Sequence, residues 1–305
     1  MTLESSIHSN FLDLFYCELA DQELSRKNKL NLFTLRVTNN QFVYDELIES
    51  IGNQLHYFAL SRKEVKQLID DGKLRTLVDR AKERLRDHRN MAGDKKKEGG
   101  EIGEILLYCF LESHLKAPKI LTKLELKTSS QMFVHGADGV HLLKIDESNY
   151  QLILGESKLV ADLNGGIAKA FQSIAGMLAD NGRKKNFEFQ LVNSQLVKEA
   201  YDEGMYNFLK KIIVPSASED ATNMDYSFGI FLGFNVEISD AEKLMGNKEF
   251  RECIREKIVE KVKSSLDSIN RQIEKAHFTG YNFYVYIIPF TDLENKRKEL
   301  IEQLL

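Results

Sequence analysis

Cysteine and proline are rare in this chain, with three of each in 305 residues, and tryptophan is absent. The cysteines Cys17, Cys109 and Cys253 lie far apart and form no Cys-x-x-Cys pair, which argues against a disulfide framework and for a reducing compartment. The seven histidines show neither zinc-finger nor His-Glu-x-x-His spacing. We therefore expect no structural zinc site.

Long apolar runs are also missing, and the first ten residues lack the basic and apolar segments of a signal peptide. We therefore expect a cytoplasmic protein that does not cross a membrane. A hydrophobic content of 43% and a charged content of 29% are typical of a globular protein. A chain of this length can bury one large core or two modest ones.

Basic residues are not in excess, because 42 Lys and Arg stand against 46 Asp and Glu, for a net charge of −4. A protein that binds nucleic acid on its own normally neutralises phosphates with a basic surface. The basic clusters at 95–97 and 183–185 are short. If the chain acts on nucleic acid, either its basic residues are concentrated locally or a partner presents the substrate.

The stretch Gly136–Lys158 predicts a β-hairpin at the centre of the chain. Val140 and Leu142 alternate on its first strand, and Leu152 and Leu154 alternate on its second. If these two apolar pairs face the same core, Leu142 lies opposite Leu152 and Val140 lies opposite Leu154. The loop would then span residues 145–149, a length that hairpins use.

This register places Asp138 opposite Glu156 on one face of the hairpin, with Lys158 as the diagonal neighbour. Two opposed carboxylates repel each other, and a divalent cation bound between them removes that cost. Magnesium accepts one or two carboxylates and keeps several waters, which leaves room for a phosphate. Lys158 points the same way and can hold an attacking water or the phosphate charge. The pattern therefore predicts a metal-dependent phosphodiester site.

Two alternatives remain open from these residues alone. A slip of two positions would place Asp138 opposite Lys158 instead of Glu156. Asp138-Gly139 is also a common sequence for a tight hairpin turn. In that case Glu156 and Lys158 would form an ordinary charged strand end.

A further carboxylate-bearing element precedes the hairpin. Residues 101–115 are apolar around nearly the whole helical circumference, so we expect a buried helix. Glu104 lies on the same stripe as Leu107, and a carboxylate in that setting needs a charge partner or a metal. Glu101 falls nearer Glu112, and we expect it to be more easily solvated.

Three motifs carry a family resemblance: the helix GEIGEILLYCFLESH, the aspartate in HGADGV and the Glu-Ser-Lys triplet at 156–158. In this order they resemble the PD-(D/E)xK nuclease superfamily. More narrowly, GEILLY, GADGV and LGESKL resemble the HamA family, the nuclease subunits of the Hachiman anti-phage defence system. The close resemblance covers residues 101–172, and Ala137 departs from the proline that often precedes the aspartate.

The resemblance implies an α/β fold: a restriction-endonuclease-like core with a central mixed sheet flanked by helices, plus an N-terminal α+β region. It also implies site roles. Asp138, Glu156 and Glu104 would bind Mg²⁺, with Mn²⁺ as an alternative ion. Lys158 would position or deprotonate the attacking water, and Glu101 is the fallback for the helix glutamate.

The same resemblance implies DNA as the substrate and a HamB-like helicase subunit of the superfamily 2 type as the partner. Residues 1–92 would form a partner-docking region, and residues 93–305 the nuclease core with a C-terminal helix–strand–helix extension. One rival interpretation is a non-catalytic regulatory or binding subunit on a nuclease fold. Another is a free-standing restriction-type nuclease, for which we would expect a more basic surface.

Two elements after the hairpin complete the sequence-based prediction. Asp162 or Asn164 is expected to cap a helix on which Lys169 and Gln172 lie one turn apart. By resemblance, a polar residue near the start of that helix contacts the substrate phosphate, although a solvent-facing pair fits the pattern equally well. Residues 240–277 predict one long, charged amphipathic helix.

Overall fold

A seven-stranded mixed sheet forms the centre of the computed structural model. The structure describes residues 3–7, 9–91, 99–122, 124, 137–179, 196–200, 202–213 and 223–305. The strands in these ranges are β1 (Phe15–Glu23), β2 (Lys29–Leu35), β3 (Val37–Thr38), β4 (Gln41–Phe42), β5 (Lys119–Thr122), β6 (Gly139–Lys144), β7 (Asn149–Val160), β8 (Asn223–Asn235) and β9 (Asn282–Phe290). The spatial order of the large sheet is β1-β2-β9-β8-β7-β6-β5, and β3 pairs only with β4.

Four neighbouring strands, β2, β9, β8 and β7, run parallel. Antiparallel pairing adds β1 beside β2 at one side, and β6 and then β5 beside β7 at the other. The prediction of an α/β fold with a central mixed sheet is therefore confirmed. Because β1 and β2 pair into this sheet, the N-terminal region shares it with the strands that carry the predicted site.

The helices in the described ranges are α1 (Tyr44–Ala59), α2 (Arg62–Asp70), α3 (Leu74–Met91), α4 (Glu101–Ser113), α5 (Leu163–Ala179), α6 (Leu196–Glu199), α7 (Glu203–Ile213), α8 (Asp240–Lys243), α9 (Asn247–Lys263), α10 (Leu266–Ile273) and α11 (Leu293–Leu304). Local side-chain caps begin some of them. Ser61 accepts a hydrogen bond from the N–H of Glu64 at the start of α2, and Asp162 accepts one from the N–H of Gly165 at the start of α5. Within the described ranges, no helix is long and apolar enough to span a bilayer.

Glycines let two helices approach the middle of the sheet closely. A Cβ at Gly155 of β7 would lie 2.9 Å from Cδ2 of Leu107 in α4. A Cβ at Gly166 of α5 would lie 2.6 Å from Cγ2 of Val160, also in β7. Positions 155 and 160 point to opposite sides of a strand, so α4 and α5 cover opposite faces of the sheet. As predicted, α4 is buried on all sides.

The prediction of a single helix over 240–277 is wrong, because the segment divides into α8, α9, α10 and a short 3-10 turn. Ser239 begins α8 with a capping box, Gly246 precedes α9, and Ser264 and Ser265 separate α9 from α10. Buried apolar residues continue at helical spacing on both sides of these breaks. Periodicity therefore predicted the buried face but not the places where the chain changes direction.

Candidate metal centre and active site

The hairpin that contains the candidate site has the predicted register. Val140 pairs with Leu154 and Leu142 pairs with Leu152 in the antiparallel ladder between β6 and β7. The ladder begins at the pair formed by Gly139 and Gly155. Asp138 therefore lies one residue beyond the ladder, level with Glu156, and the register slipped by two positions is excluded.

Asp138 does not belong to a tight hairpin turn. Gly139, the next residue, pairs with Thr122 of β5, and residues 123–138 lie between these two partners in the chain. The two-residue turn that the Asp-Gly sequence also allowed is therefore wrong. Instead, Asp138 leads directly into β6, and its side chain is buried.

The carboxylate of Asp138 occupies the position where strand pairing stops. Its backbone N–H donates to the carbonyl of Gly155 at 2.8 Å, which is the last backbone bond on this edge within the described residues. The next N–H of β7 that points toward β6 is that of Ser157, and it donates to Oδ2 of Asp138 at 2.8 Å. The hydroxyl of Ser157 donates to the same oxygen at 2.7 Å. A side-chain carboxylate thus replaces the strand carbonyl that an extended β6 would supply.

Glu156 is the second carboxylate of the site, and it lies on the face that α5 covers. Its side chain is 2% exposed, and it accepts hydrogen bonds from Nζ of Lys158 and from the hydroxyl of Ser173 in α5. Burial, followed by the negative charge of Asp138, raises the pKa of Glu156 to about 7, although Lys158 and Ser173 oppose that shift. The Glu156 carboxylate is therefore destabilised at neutral pH, and further positive charge beside it would favour its ionised form.

Lys158 follows on the same face of β7 as Glu156 and forms an ion pair with it. The Lys158 side chain is 28% exposed, whereas that of Glu156 is nearly inaccessible. The ammonium group is thus the part of the cluster that solvent reaches most easily. The structure brings Asp138, Glu156 and Lys158 together as the sequence predicted.

Glu104 approaches this end of the hairpin from the other face of the sheet. The ring of Tyr108 in α4 lies 5.9 Å, centroid to centroid, from that of His141 in β6. Glu104 is one helical turn before Tyr108, which places it toward the start of β6. The neighbouring Gly103 packs against Ser157, since a Cβ there would lie 3.2 Å from Oγ of Ser157.

Glu101 is more buried than Glu104, with 2% of its surface exposed against 8%. The expectation that Glu101 is the more easily solvated of the two is therefore wrong. Among the described residues, neither carboxylate oxygen of Glu101 finds a hydrogen-bond partner. The first turn of α4 thus contributes two buried carboxylates. Only that of Glu104 was expected to need a charge partner or a metal.

The donor set fits a hard divalent cation, because carboxylate oxygens are the ligands that Mg²⁺ prefers. Within the described ranges, no group of three or more His, Cys, Asp or Glu side chains is arranged to hold a metal ion. Glu104 is therefore not gathered with the strand carboxylates into a ready-made three-ligand cluster. The pair Asp138 and Glu156 satisfies the one or two carboxylates that Mg²⁺ needs when waters complete its shell.

Other polar residues near the site fall into two groups. His141 is buried on β6, its Nδ1 lies 2.8 Å from the carbonyl of Ala117, and burial lowers its pKa to about 4. Lys169 and Gln172 are exposed on α5. The residues that sequence reasoning missed are Ser157 and Ser173, each of which donates to one of the two strand carboxylates.

These features define an α/β protein with a mixed central sheet and a carboxylate–lysine cluster at the open end of its central hairpin. The HamA family model matches residues 9–304, nearly the whole chain. The protein therefore belongs to the HamA family of the Hachiman anti-phage defence system. A search of curated proteins finds no match.

Proposed function

We propose that this HamA-family protein is a metal-dependent deoxyribonuclease that hydrolyses phosphodiester bonds as an effector of Hachiman defence. The observation that supports the proposal most strongly is the buried pair Asp138 and Glu156, with Lys158 paired to Glu156 on the same face of β7. The raised pKa of Glu156 indicates a site whose negative charge is under-compensated.

Asp138 and Glu156 would hold Mg²⁺, or Mn²⁺ in its place, together with the carbonyl of Ser157. Glu104 would join the ligand shell directly or through a water, with Glu101 in the same turn as the alternative. When bound, the ion polarises the phosphate and lowers the pKa of a coordinated water.

Lys158 would act on the attacking water and the phosphate. In the structure its ammonium group donates a hydrogen bond to Glu156, which holds Lys158 at the site. With Glu156 bound to a cation, the Lys158 ammonium group would be available to a substrate phosphate. There it would orient or deprotonate the water and offset the negative charge that develops on the phosphate oxygens.

The electrostatics support gating by a partner. Phosphate neutralisation normally supplies much of the affinity for DNA, whereas this chain has a net charge of −4. The basic clusters at 95–97 and 183–185 lie outside the described residues.

We propose that a HamB-like helicase of the superfamily 2 type presents the DNA strand, and that residues 1–92 form the docking region for it. Exposed Leu74 and Val78 of α3 in that region fit such a role.

The test compares the purified chain alone with the chain plus its helicase, on single- and double-stranded DNA at physiological salt, with Mg²⁺ or with EDTA. We expect Mg²⁺-dependent cleavage that requires the helicase and disappears in Asp138→Ala and Glu156→Ala proteins. Rapid cleavage by the chain alone would contradict gating and favour a free-standing nuclease. No cleavage in any combination would contradict the enzymatic assignment and favour a regulatory subunit.

A further inference from the structure

Ser157, the middle residue of the Glu-Ser-Lys triplet, contacts the site in a way that the motif itself does not predict. Its side chain points to the face opposite Glu156 and Lys158, because neighbouring residues of a strand alternate. Even so, the backbone N–H and the side-chain hydroxyl of Ser157 both donate hydrogen bonds to one atom of the site. The N–H and the hydroxyl reach Oδ2 of Asp138 at 2.8 and 2.7 Å.

Two donors from one residue fix the orientation of a carboxylate group. A single hydrogen bond allows the carboxylate to rotate about its Cβ–Cγ bond, whereas two donors at different angles restrict that rotation. Ser157 is also rigid itself, because it lies inside β7 and pairs with Phe231 of β8. The position of Asp138 is thereby tied to the strand that carries Glu156.

Helix α4 holds the Ser157 hydroxyl in place from the other side. A Cβ at Gly103 would lie 3.2 Å from Oγ and 3.3 Å from Cβ of Ser157. The glycine therefore leaves only enough room for a serine side chain between α4 and β7. Glu104, next to Gly103 in the chain, is positioned by the same contact.

We propose that Ser157 is a positioning residue for the metal. By holding Oδ2 of Asp138 with two donors, it directs Oδ1 toward the cation that Asp138 shares with Glu156. This inference rests on the proposed function. It agrees with the general behaviour of metal sites, in which a hydrogen-bond partner of a ligating group strengthens metal affinity about 10–100-fold.

The test is a Mn²⁺ titration of the purified full-length chain, without DNA or helicase, followed by electron paramagnetic resonance. Ser157→Ala should bind Mn²⁺ about 10-fold more weakly than the unmodified protein. Ser227→Ala is the matched control, since Ser227 is a fully buried strand serine whose hydroxyl donates to Gln151 at 2.9 Å, away from the site. It should bind Mn²⁺ normally.

A second variant keeps the test decisive if Ser157→Ala folds poorly. Gly103→Ala retains every donor and favours the helix, but its methyl group crowds Oγ of Ser157. It should also weaken Mn²⁺ binding several-fold.

Each result has a separate meaning. Equal Mn²⁺ affinity in the unmodified, Ser157→Ala and Gly103→Ala proteins would overturn the positioning role and leave the proposed function intact. Equal weakening by Ser227→Ala would show that general loosening of the strands is responsible, and would also overturn it. If Asp138→Ala binds Mn²⁺ as well as the unmodified protein, the proposed metal site fails, and the role of Ser157 fails with it.

Discussion

Helix α4 carries a buried cluster of charged side chains at each end, and the two clusters differ in how their charges are balanced. At its C-terminal end, Arg62, Glu112, Lys119 and Glu199 are each 5% exposed or less. Two positive and two negative side chains make this group neutral. We call these four residues the balanced cluster.

In the balanced cluster, Glu112 is surrounded by donors. Its Oε1 accepts from NH2 of Arg62 at 3.0 Å and from the N–H of Lys119 at 2.7 Å. Its Oε2 accepts from the hydroxyl of Ser5 at 2.8 Å and from the N–H of Ser6. Both oxygens of a fully buried carboxylate are thus satisfied by the protein itself. A site of this kind stabilises one conformation and needs no ligand.

The cluster at the N-terminal end of α4 has the opposite balance. Glu101 and Glu104 of the first turn of α4 are buried carboxylates, and so are Asp138 and Glu156 of the neighbouring hairpin. The structure does not gather three of these carboxylates into one metal-binding group within the described residues, and Lys158 pairs with Glu156. A divalent cation would restore the balance that the other cluster achieves with arginine and lysine. The comparison therefore separates a structural charge cluster from a candidate metal centre within one helix.

Substitutions of the hairpin residues should produce the largest effect on function with little effect on folding. Asp138→Ala, Glu156→Ala and Lys158→Ala should each reduce Mg²⁺-dependent cleavage at least about 10³-fold, because each removes several kcal/mol of transition-state stabilisation. Cleavage rates with the helicase present, alongside urea unfolding curves, check this. Normal cleavage by Asp138→Ala protein would show that the site is elsewhere.

Breaking the balanced cluster should affect folding instead. Arg62→Ala leaves Glu112 and Glu199 buried without their main cation, so the free energy of unfolding should fall by about 3–5 kcal/mol. Urea denaturation measures it. Lys66→Ala is the control, because Lys66 and Asp70 form an ion pair that is more than half exposed, and its loss should change stability by about 0.5 kcal/mol or less. Similar losses in both variants would contradict the structural role of the cluster.

The raised pKa of Glu156 predicts that the stability of the protein depends on pH. A carboxyl with a folded-state pKa of about 7 keeps its proton while the unfolded chain loses it, from its ordinary value of 4.5 upward. Its contribution to stability is therefore complete below pH 4.5 and lost as the pH rises through 7, by up to about 3 kcal/mol. Urea unfolding in EDTA between pH 5 and 8 should show this slope, and Glu156→Gln protein should lack it. If the free energy of unfolding changes with pH in the same way in both proteins, the raised pKa of Glu156 is refuted.

Substitutions of the two glutamates in the first turn of α4 should give the smallest of these effects. We expect Glu104→Gln to lower the cleavage rate about 10–100-fold, as changes around a metal ligand do, and Glu101→Gln to retain most of the rate. Steady-state cleavage at several Mg²⁺ concentrations ranks them. A reversed ranking would assign the helix carboxylate of the site to Glu101, whose oxygens lack partners among the described residues.

The sequence was sufficient to predict the hairpin register and the pairing of Asp138 with Glu156. Alternating apolar residues fix which side chains share a face, and a slip of one residue would move each of them to the opposite face of the sheet. The cap formed by Asp162 was equally predictable, because an aspartate just before an apolar helical period is a local signal.

Contacts between distant elements could not be predicted in the same way. The burial of Glu101 and the hydrogen bonds from Ser157 and Ser173 depend on how closely α4 and α5 approach the sheet. That distance is set by Gly103 and Gly166. Because glycine has no side chain, hydrophobic periodicity does not reveal these close approaches. The breaks between α8, α9 and α10 escaped prediction because apolar spacing continues across them.

The central claim is that Asp138 and Glu156 form a cation site, and crystals of the protein soaked in Mn²⁺ test it most directly. Anomalous scattering locates the ion independently of any assay of activity. We predict a peak in contact with the carboxylates of Asp138 and Glu156, none in the balanced cluster around Glu112, and loss of the peak in Asp138→Ala crystals. A saturated soak that leaves the hairpin carboxylates without a peak, or a peak that persists in Asp138→Ala protein, would contradict the account.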